Sequence, residues 1–231
     1  MQVNWQGVYP ALTTKFTRSG KLDLPTFINN VQAQISAGVD GIILGGSLGE
    51  ASTLTQAEKM ALLEASLEAV GRKIPVIVNI AERSTSVAVA GVKEAQQLGA
   101  DGFMLLPPLQ YKATERETLD YFLRIAQETD LPIMIYNNPV DYKIEVTPGM
   151  FEVLLKQENI QAVKESTRDV TNVTRLINRF GEQRLKILCG VDTIAMESLV
   201  MGAHGWVAGL VCAFPKETVA IYRLVKAGRI A

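Results

Sequence analysis

Short apolar runs alternate with longer amphipathic stretches from one end of the chain to the other. The runs have the length of buried strands, and the stretches that follow repeat apolar residues at helical spacing. The pattern predicts strands at residues 7–16, 41–46, 75–80, 102–108, 132–139, 160–166, 186–192 and 205–215, and helices at 24–37, 55–70, 85–98, 115–129, 148–157, 169–180, 193–202 and 216–227. Eight strand–helix pairs of this size indicate an α/β chain folded as a (β/α)8 TIM barrel.

An internal repeat supports this interpretation. The segments AGVDGIILG, LGADGFMLLP and MGAHGWVAGL begin at residues 37, 98 and 201, and each runs from a helix end through two glycines into an apolar strand. The first glycine suits a helix end because it accepts the left-handed backbone conformation. His204, the only histidine, occupies the position of Asp40 and Asp101 in the other copies. That position lies on the face of a barrel opposite the catalytic one, so we expect a structural or solvent-facing role for His204.

Composition and charge narrow the classes of function. With 23 basic and 24 acidic residues the net charge is -1, which predicts neither a nucleic-acid nor a membrane partner. No linker divides the chain, so one domain over residues 1–231 is expected. The N-terminus lacks a signal-peptide pattern and no apolar stretch is long enough to span a bilayer, which predicts a cytoplasmic protein. Cys189 and Cys212 lie in apolar runs and are expected to be reduced thiols.

Polar residues are concentrated where the predicted strands end, on the side that carries the active site in barrels of this kind. The motifs GGSLGE, IMIYNNP, KES and CGVD supply Ser47, Glu50, Tyr136, Asn137, Asn138, Lys164, Glu165, Gly190 and Asp192. The set has no His/Cys pattern with metal-ligand spacing, no P-loop and no dinucleotide fingerprint. Neither a metal nor an organic cofactor is therefore predicted.

Lys164 ends the apolar run IQAVK, where a charged ammonium is disfavoured by burial. A lysine in such a place can be neutral near pH 7 and attack a carbonyl carbon to form a Schiff base. Tyr136, on the adjacent predicted strand, is a candidate proton donor and acceptor for that reaction. The residues alone leave other interpretations open. Lys164 can instead pair with Glu165 or Asp192, Tyr136 can be a core aromatic residue, and Ser47 and Glu50 can cap a helix.

The ordered set GSLGE, YNNP, KES and GVD resembles the dihydrodipicolinate synthase / N-acetylneuraminate lyase family of class I aldolases, and the likeness runs from GVYPALTTKF to AGLVCAFP. The resemblance implies a cofactor-free lyase in which Lys164 forms a Schiff base with pyruvate or a longer 2-oxo acid and Tyr136 shuttles protons. Ser47 and the backbone of its turn would hold the carboxylate, and residues 208–210 would line the floor near the imine. The implied substrate-binding residues are Gly46, Ser47, Leu48, Asn138, Gly190, Asp192 and Gly209.

Departures from the synthase pattern bear on the substrate. Leu48 replaces the second of two adjacent threonines, Leu109 falls where a second tyrosine is expected, and Asp141 falls in the register of a carboxylate-binding arginine. These departures favour a carbon–carbon or carbon–oxygen lyase other than the synthase proper, which dehydrates, deaminates or cleaves a hydroxylated 2-oxo acid. The amides of Asn137 and Asn138 would suit its hydroxyl groups. The alternatives are 4-hydroxy-tetrahydrodipicolinate synthase of lysine biosynthesis and a non-catalytic paralogue that binds 2-oxo acids.

The resemblance also concerns assembly. Members of the family continue beyond the last barrel helix into a C-terminal helical segment, whereas this sequence stops at Ala231, so that segment is expected to be absent or truncated. A homo-oligomer is expected, either a dimer or a tetramer, with a small-molecule 2-oxo acid as substrate.

Overall fold

A closed parallel barrel forms the centre of the molecule. The computed structural model describes residues 1–108 and 112–230. Its strands are β1 (Gly7–Pro10), β2 (Ile42–Leu44), β3 (Val76–Ile80), β4 (Gly102–Leu105), β5 (Ile133–Asn137), β6 (Ile160–Glu165), β7 (Lys186–Cys189) and β8 (Gly205–Ala208). Neighbours along the chain pair in parallel, β1 pairs with β8, and an Ala11–Ile43 bridge joins the first two strands. The predicted (β/α)8 barrel is confirmed.

Helices surround this barrel. They are α1 (Leu24–Ala37), α2 (Gln56–Val70), α3 (Thr85–Leu98), α4 (Glu115–Ala126), α5 (Pro139–Tyr142), α6 (Pro148–Leu154), α7 (Thr171–Arg184), α8 (Ala195–Val200) and α9 (Pro215–Lys226), with 3₁₀ turns at Asp192–Ile194 and Leu210–Cys212. Each predicted helix is present. The short helix α5 was not predicted, although Asn138 followed by Pro139 is a common way to begin a helix.

The first and last predicted strands are too long. Strand β1 ends at Pro10 instead of residue 16, and β8 ends at Ala208 instead of residue 215. Beyond Pro10 the chain turns across the barrel mouth, where Ala11 and Leu12 are still buried. The apolar stretch in the sequence is therefore longer than the strand itself, because the loops at the mouth also cover apolar surface.

Alternation along the strands produces two separate cores. Outward-facing side chains pack against the helices, and inward-facing ones fill the barrel. The inward set includes Tyr9, Ile43, Ile77, Met104, Met134, Ala162, Leu188 and Val207. Trp5 closes the N-terminal end of the barrel, and its indole N–H donates to Gln161 Oε1 at 3.2 Å. Side chains that continue the inward alternation toward the C-terminal strand ends therefore face the mouth.

The turns of the internal repeat have the predicted geometry. Gly38, Gly99 and Gly202 lie at φ values of 82°, 104° and 106°. Asp40 and Asp101 accept hydrogen bonds from the N–H groups of Val8 and Val76 on the neighbouring strands, at 2.8 and 3.0 Å.

His204 has the equivalent role in the third copy. Its Nδ1 accepts from the N–H of Ile187 at 3.0 Å, and burial lowers the pKa of the imidazole, which keeps that nitrogen available as an acceptor. This hydrogen bond is a structural contact of the kind expected for His204.

Candidate active site

Strand parity brings Lys164 and Tyr136 together. Met134 and Ala162 both face into the barrel, so the residues two positions later, Tyr136 and Lys164, face inward as well. These two residues are paired across β5 and β6. The register shifts near the start of the pair, because Ile133 is opposite Ile160 whereas Met134 is opposite Ala162. The additional residue on β6 is Gln161, and this β-bulge sets Tyr136 opposite Lys164.

Lys164 is buried at the end of β6, beside the ring of Tyr136. Its Nζ lies 3.9 Å from the centroid of the Tyr136 ring, and only 7% of the residue is exposed. Burial lowers the pKa of Lys164 from 10.5 to about 8, and the negative charge of Asp192 is the largest effect in the opposite direction. Within residues 1–108 and 112–230, no carboxylate lies within ion-pair distance of the ammonium. The alternative of a lysine paired with Glu165 or Asp192 is therefore not observed.

A cavity of about 280 Å³ opens above Lys164. Lys164, Tyr136 and the seven substrate-binding residues that the resemblance implies lie on its wall: Gly46, Ser47, Leu48, Tyr136, Asn138, Lys164, Gly190, Asp192 and Gly209. The structure adds Ala11, Asp141, Ser166, Arg168, Val191 and Val207. Larger clefts, such as one of about 500 Å³ beside Arg83 and Arg124, lie outside the barrel mouth. The catalytic and binding roles of the cavity residues remain predictions, but the structure gathers these residues into one site.

The Tyr136 hydroxyl belongs to a short chain of hydrogen bonds. Asn138 Nδ2 donates to the phenol oxygen at 3.0 Å and to Asp141 Oδ2 at 2.7 Å. The backbone N–H of Asp141 donates to Asn138 Oδ1 at 3.2 Å. Burial is the main cause that raises the pKa of Tyr136, and the bond from Asn138 acts in the opposite direction. The Tyr136 phenol is therefore neutral near pH 7, and it lies beside the Lys164 amine, which is partly neutral at that pH.

Buried polar side chains hold the turn after β2 in place. Asn79 Nδ2 donates to the carbonyl oxygen of Gly45 at 2.8 Å, and Thr14 Oγ1 donates to that of Gly49 at 2.6 Å. The N–H groups of Ser47 and Leu48 make no hydrogen bond within the described part of the chain. Two consecutive free N–H groups at the mouth are a suitable binding element for a carboxylate.

The Ser47 hydroxyl is hydrogen-bonded to the hydroxyl of Tyr142 on helix α5. The Tyr142 ring packs edge-on against Tyr136, with centroids 5.7 Å apart. Sequence reasoning missed Tyr142 because it missed α5. The predicted departure at Leu109 lies outside the described residues.

Asp192 fastens the loop after β7 to the turn after β8. Its carboxylate accepts from Trp206 Nε1 at 3.0 Å, from the N–H of Gly209 at 3.1 Å and from the N–H of Leu210 at 2.8 Å. All three bonds are to the protein, so the carboxylate shapes the cavity wall. The substrate contact predicted for Asp192 stays a prediction.

Asn137 and Glu165 point away from the cavity. The Asn137 amide donates to the carbonyl oxygen of Val146 at 3.2 Å and accepts from its N–H at 2.9 Å. Glu165 is buried and accepts from Asn172 Nδ2 at 2.9 Å and from the N–H of Thr167 at 2.8 Å. The expectation that the Asn137 amide serves a substrate hydroxyl is wrong, because the amide is already used in holding the loop before α6.

The described residues contain no group of three or more His, Cys, Asp or Glu side chains arranged for a metal ion. No helix among them combines the length and the apolar character needed to cross a bilayer. Cys189 and Cys212 are both free thiols, as predicted.

Comparison with known proteins identifies the group to which this chain is related. The chain is 32% identical over 217 residues to the 4-hydroxy-tetrahydrodipicolinate synthase of Exiguobacterium sibiricum, covering 94% of this chain and 74% of that protein. It is 30% identical over 230 residues to the probable 2-dehydro-3-deoxy-D-pentonate aldolase YjhH of Escherichia coli K12, covering 98% and 76%. The crystal structure of YagE from E. coli K12 in complex with pyruvate superposes with a TM-score of 0.92 at 28% identity, covering 98% and 77%.

The family model named Dihydrodipicolinate synthetase family matches residues 4–231. Enzymes of this family are lyases and aldolases that join a substrate carbonyl to a lysine as a Schiff base and need no further cofactor. Because the match extends over nearly the whole chain, this protein belongs to the dihydrodipicolinate synthetase family.

Proposed function

We propose that Lys164 forms an imine with the C2 carbonyl of pyruvate or a longer 2-oxo acid. The observation that carries the proposal is the position of Lys164 Nζ, buried at the base of the cavity and 3.9 Å from the Tyr136 ring centroid. With a pKa of about 8, roughly a tenth of the amine is neutral at pH 7, which is enough to supply the nucleophile. Tyr136 is the proposed donor and acceptor of protons.

The substrate carboxylate is proposed to bind at the turn after β2. The free N–H groups of Ser47 and Leu48 lie at the cavity wall, where they can donate to two carboxylate oxygens. The Leu48 side chain packs toward Gly209, since a Cβ built on that glycine would lie 2.6 Å from Leu48 Cδ1. This contact places the Leu48 side chain against the turn after β8, across the cavity mouth.

The far end of the substrate is proposed to be neutral and hydroxylated. Asp141 lies on the wall beyond Tyr136, and 58% of its side chain is exposed. A carboxylate there repels a second carboxylate of the substrate and accepts hydrogen bonds from hydroxyl groups. We therefore propose dehydration, deamination or aldol cleavage of a hydroxylated 2-oxo acid.

A second candidate is 4-hydroxy-tetrahydrodipicolinate synthase. One observation favours it: Arg168 also lies on the cavity wall, with its guanidinium 4.0 Å from Asp141 Oδ1. An arginine in that place offers a cation for a substrate carboxylate even though the register of the usual arginine holds Asp141. The two candidates differ in whether Asp141 or Arg168 contacts the substrate.

Borohydride trapping tests the imine. The protein is incubated with pyruvate or with a 3-deoxy-2-oxo sugar acid, reduced, digested and weighed by mass spectrometry. A mass gain on the peptide that carries Lys164 is expected, and the better-trapped acid indicates the substrate class. Lys164→Ala should abolish trapping and turnover, whereas Lys143→Ala, which removes an exposed lysine near the mouth, should leave both unchanged.

Product analysis separates the two candidates. Aldol cleavage gives pyruvate and an aldehyde, dehydration or deamination keeps the carbon chain intact, and the synthase consumes pyruvate together with aspartate semialdehyde. Substantial turnover by Lys164→Ala, or trapping on another lysine, would contradict the proposed mechanism.

A further inference from the structure

The amide of Asn138 is fixed in one orientation. The N–H of Asp141 donates to its Oδ1, so that oxygen faces the start of α5 and Nδ2 faces the cavity. From this position Nδ2 reaches both the Tyr136 hydroxyl oxygen at 3.0 Å and Asp141 Oδ2 at 2.7 Å. Both hydrogens of the amide nitrogen and its oxygen are therefore in use. Asn138 can donate to a substrate only by giving up one of the two bonds from Nδ2.

This orientation determines where the phenol proton points. The Tyr136 oxygen accepts a hydrogen bond from Asn138, so its own hydrogen cannot be directed at that amide. The hydroxyl of Ser166 is buried on the same wall and has no hydrogen-bond partner among the described residues. The proton is consequently free to point toward Ser166 or the cavity, above Lys164.

We propose that Asn138, held by Asp141, is a positioning residue that directs the proton of Tyr136 toward the substrate. The inference rests on the proposed imine chemistry and adds a residue to it. When the carbinolamine loses water, its C2–O bond breaks and the phenol proton goes to the leaving oxygen. The lysine nitrogen supplies the electron pair of the new C=N bond. The phenolate, stabilised by the N–H of Asn138, then takes a proton from C3 of the iminium, which gives the enamine and restores the phenol.

The charges around Tyr136 make this hydrogen bond important. Burial and the negative charge of Asp141 both raise the pKa of Tyr136, while the bond from Asn138 and the neighbouring Ser166 hydroxyl lower it. The titratable and charged groups that share the pocket with the phenol are Lys164 on β6, Asp141 and Tyr142 on α5, Arg168 after β6 and Asp192 after β7. Asn138 is thus the stronger of two neutral groups that offset the unfavourable field of its neighbour Asp141, the other being Ser166.

Asn138→Ser is the main test. A serine still accepts the Asp141 N–H as a helix cap but is too short to reach the phenol oxygen. We expect the initial rate of imine formation with pyruvate, followed by rapid-quench borohydride trapping, to fall about 10-fold. The limb of the pH profile that reports ionisation of Tyr136 should move to higher pH, because the phenolate loses a donor. Asn138→Asp, which keeps the size and the cap but cannot donate when ionised, should be at least as slow.

A double-mutant cycle identifies the partner through which Asn138 acts. In a Tyr136→Phe background, Asn138→Ser should change the rate by less than about twofold, since the group that it positions is gone. Asn178→Ser, on the exposed face of α7, is the matched control and should match the parent.

Each outcome decides between the claims. A full additional loss in the Tyr136→Phe background would mean that Asn138 contacts substrate, and an unchanged rate for Asn138→Ser would remove its role; either overturns the inference while the Lys164 imine stands. If the parent protein traps no pyruvate at all, the proposed function falls as well. Urea unfolding of each variant confirms that rate losses do not come from unfolding.

Discussion

At the scale of single residues, the buried Lys164 opposes the stability of the fold. Its pKa falls from 10.5 to about 8 because burial disfavours the ammonium. Between these two values the unfolded chain binds more protons than the folded one, so stability rises as the pH rises from about 8 toward 10.5. Below pH 8 the whole cost is present, and a shift of this size corresponds to about 3 kcal/mol.

Replacing this lysine should therefore stabilise the protein while inactivating it. Methionine has a similar length and no charge, so Lys164→Met fits the barrel and removes the burial cost. We expect the free energy of unfolding at pH 7 to rise by up to about 3 kcal/mol, measured by urea denaturation. Lys216→Met, at an exposed position of α9, should change it by less than about 0.5 kcal/mol. A Lys164→Met protein no more stable than the parent would show that the ammonium is better solvated than its burial indicates.

At the scale of elements, the strand ends depend on glycine where side chains crowd the cavity. A Cβ at Gly190, just after β7, would lie 2.1 Å from Ser166 Oγ and 2.7 Å from Lys164 Cε. Both of these atoms belong to the active-site wall, so any relief must displace the lysine or its neighbour. The site thus requires glycine at this position for lack of space.

Gly190→Ala should consequently impair the chemistry. Displacement of a nucleophile by about 1 Å typically costs about 10²-fold in rate, and we expect imine formation with pyruvate to fall by roughly 10- to 100-fold. Gly149→Ala is the matched control, because a Cβ there meets only Thr147 Oγ1 at an ordinary 3.7 Å. Equal rates for the Gly190→Ala protein and the parent would show that the cavity wall yields more readily than the contacts suggest.

The opposite end of the barrel depends on a repeated side-chain acceptor. Asp40, Asp101 and His204 each satisfy a backbone N–H at the start of a neighbouring strand. His204→Asp keeps the acceptor and also lies near the positive charges of Lys186 and Lys226, so its free energy of unfolding should stay close to that of the parent.

His204→Leu leaves the Ile187 N–H without a partner and should destabilise the protein by about 1–3 kcal/mol in urea. Both variants should trap pyruvate at the parental rate. Loss of trapping in the stable aspartate variant would contradict a purely structural role for this histidine.

At the scale of the whole molecule, the repeated pattern of apolar and amphipathic segments was sufficient to predict the barrel. It was also sufficient to place Lys164, Tyr136 and several other polar residues at the strand ends, and the motif resemblance supplied the roles expected of them. The pattern predicted strands that are too long where apolar residues continue beyond the paired part of a strand, as after Pro10 and Ala208. Loops over the mouth bury apolar residues without joining the ladder, and periodicity alone does not distinguish the two cases.

Contacts between distant segments were the other gap. Nothing local indicates that Thr14 and Asn79 hold the turn after β2, because both side chains reach carbonyl oxygens that only the closed barrel brings near. The bonds from Asn138 to Tyr136 and Asp141 are local in sequence, but they depend on helix α5, whose four residues are too few to show periodicity. Side-chain hydrogen bonds of this kind can be identified only from the three-dimensional structure.

The bulge at Gln161 has a consequence for how this chain can change during evolution. Gln161 is the one residue of β6 without a partner on β5, since Ile160 is opposite Ile133 and Ala162 is opposite Met134. Loss of Gln161 would therefore join the two parts of the ladder in unbroken register, with Lys164 still opposite Tyr136 and its amine still facing the cavity. Loss of a second residue would turn the amine outward among the helices, because strand side chains alternate between inside and outside. The bulge thus gives β6 a tolerance of a single residue in length.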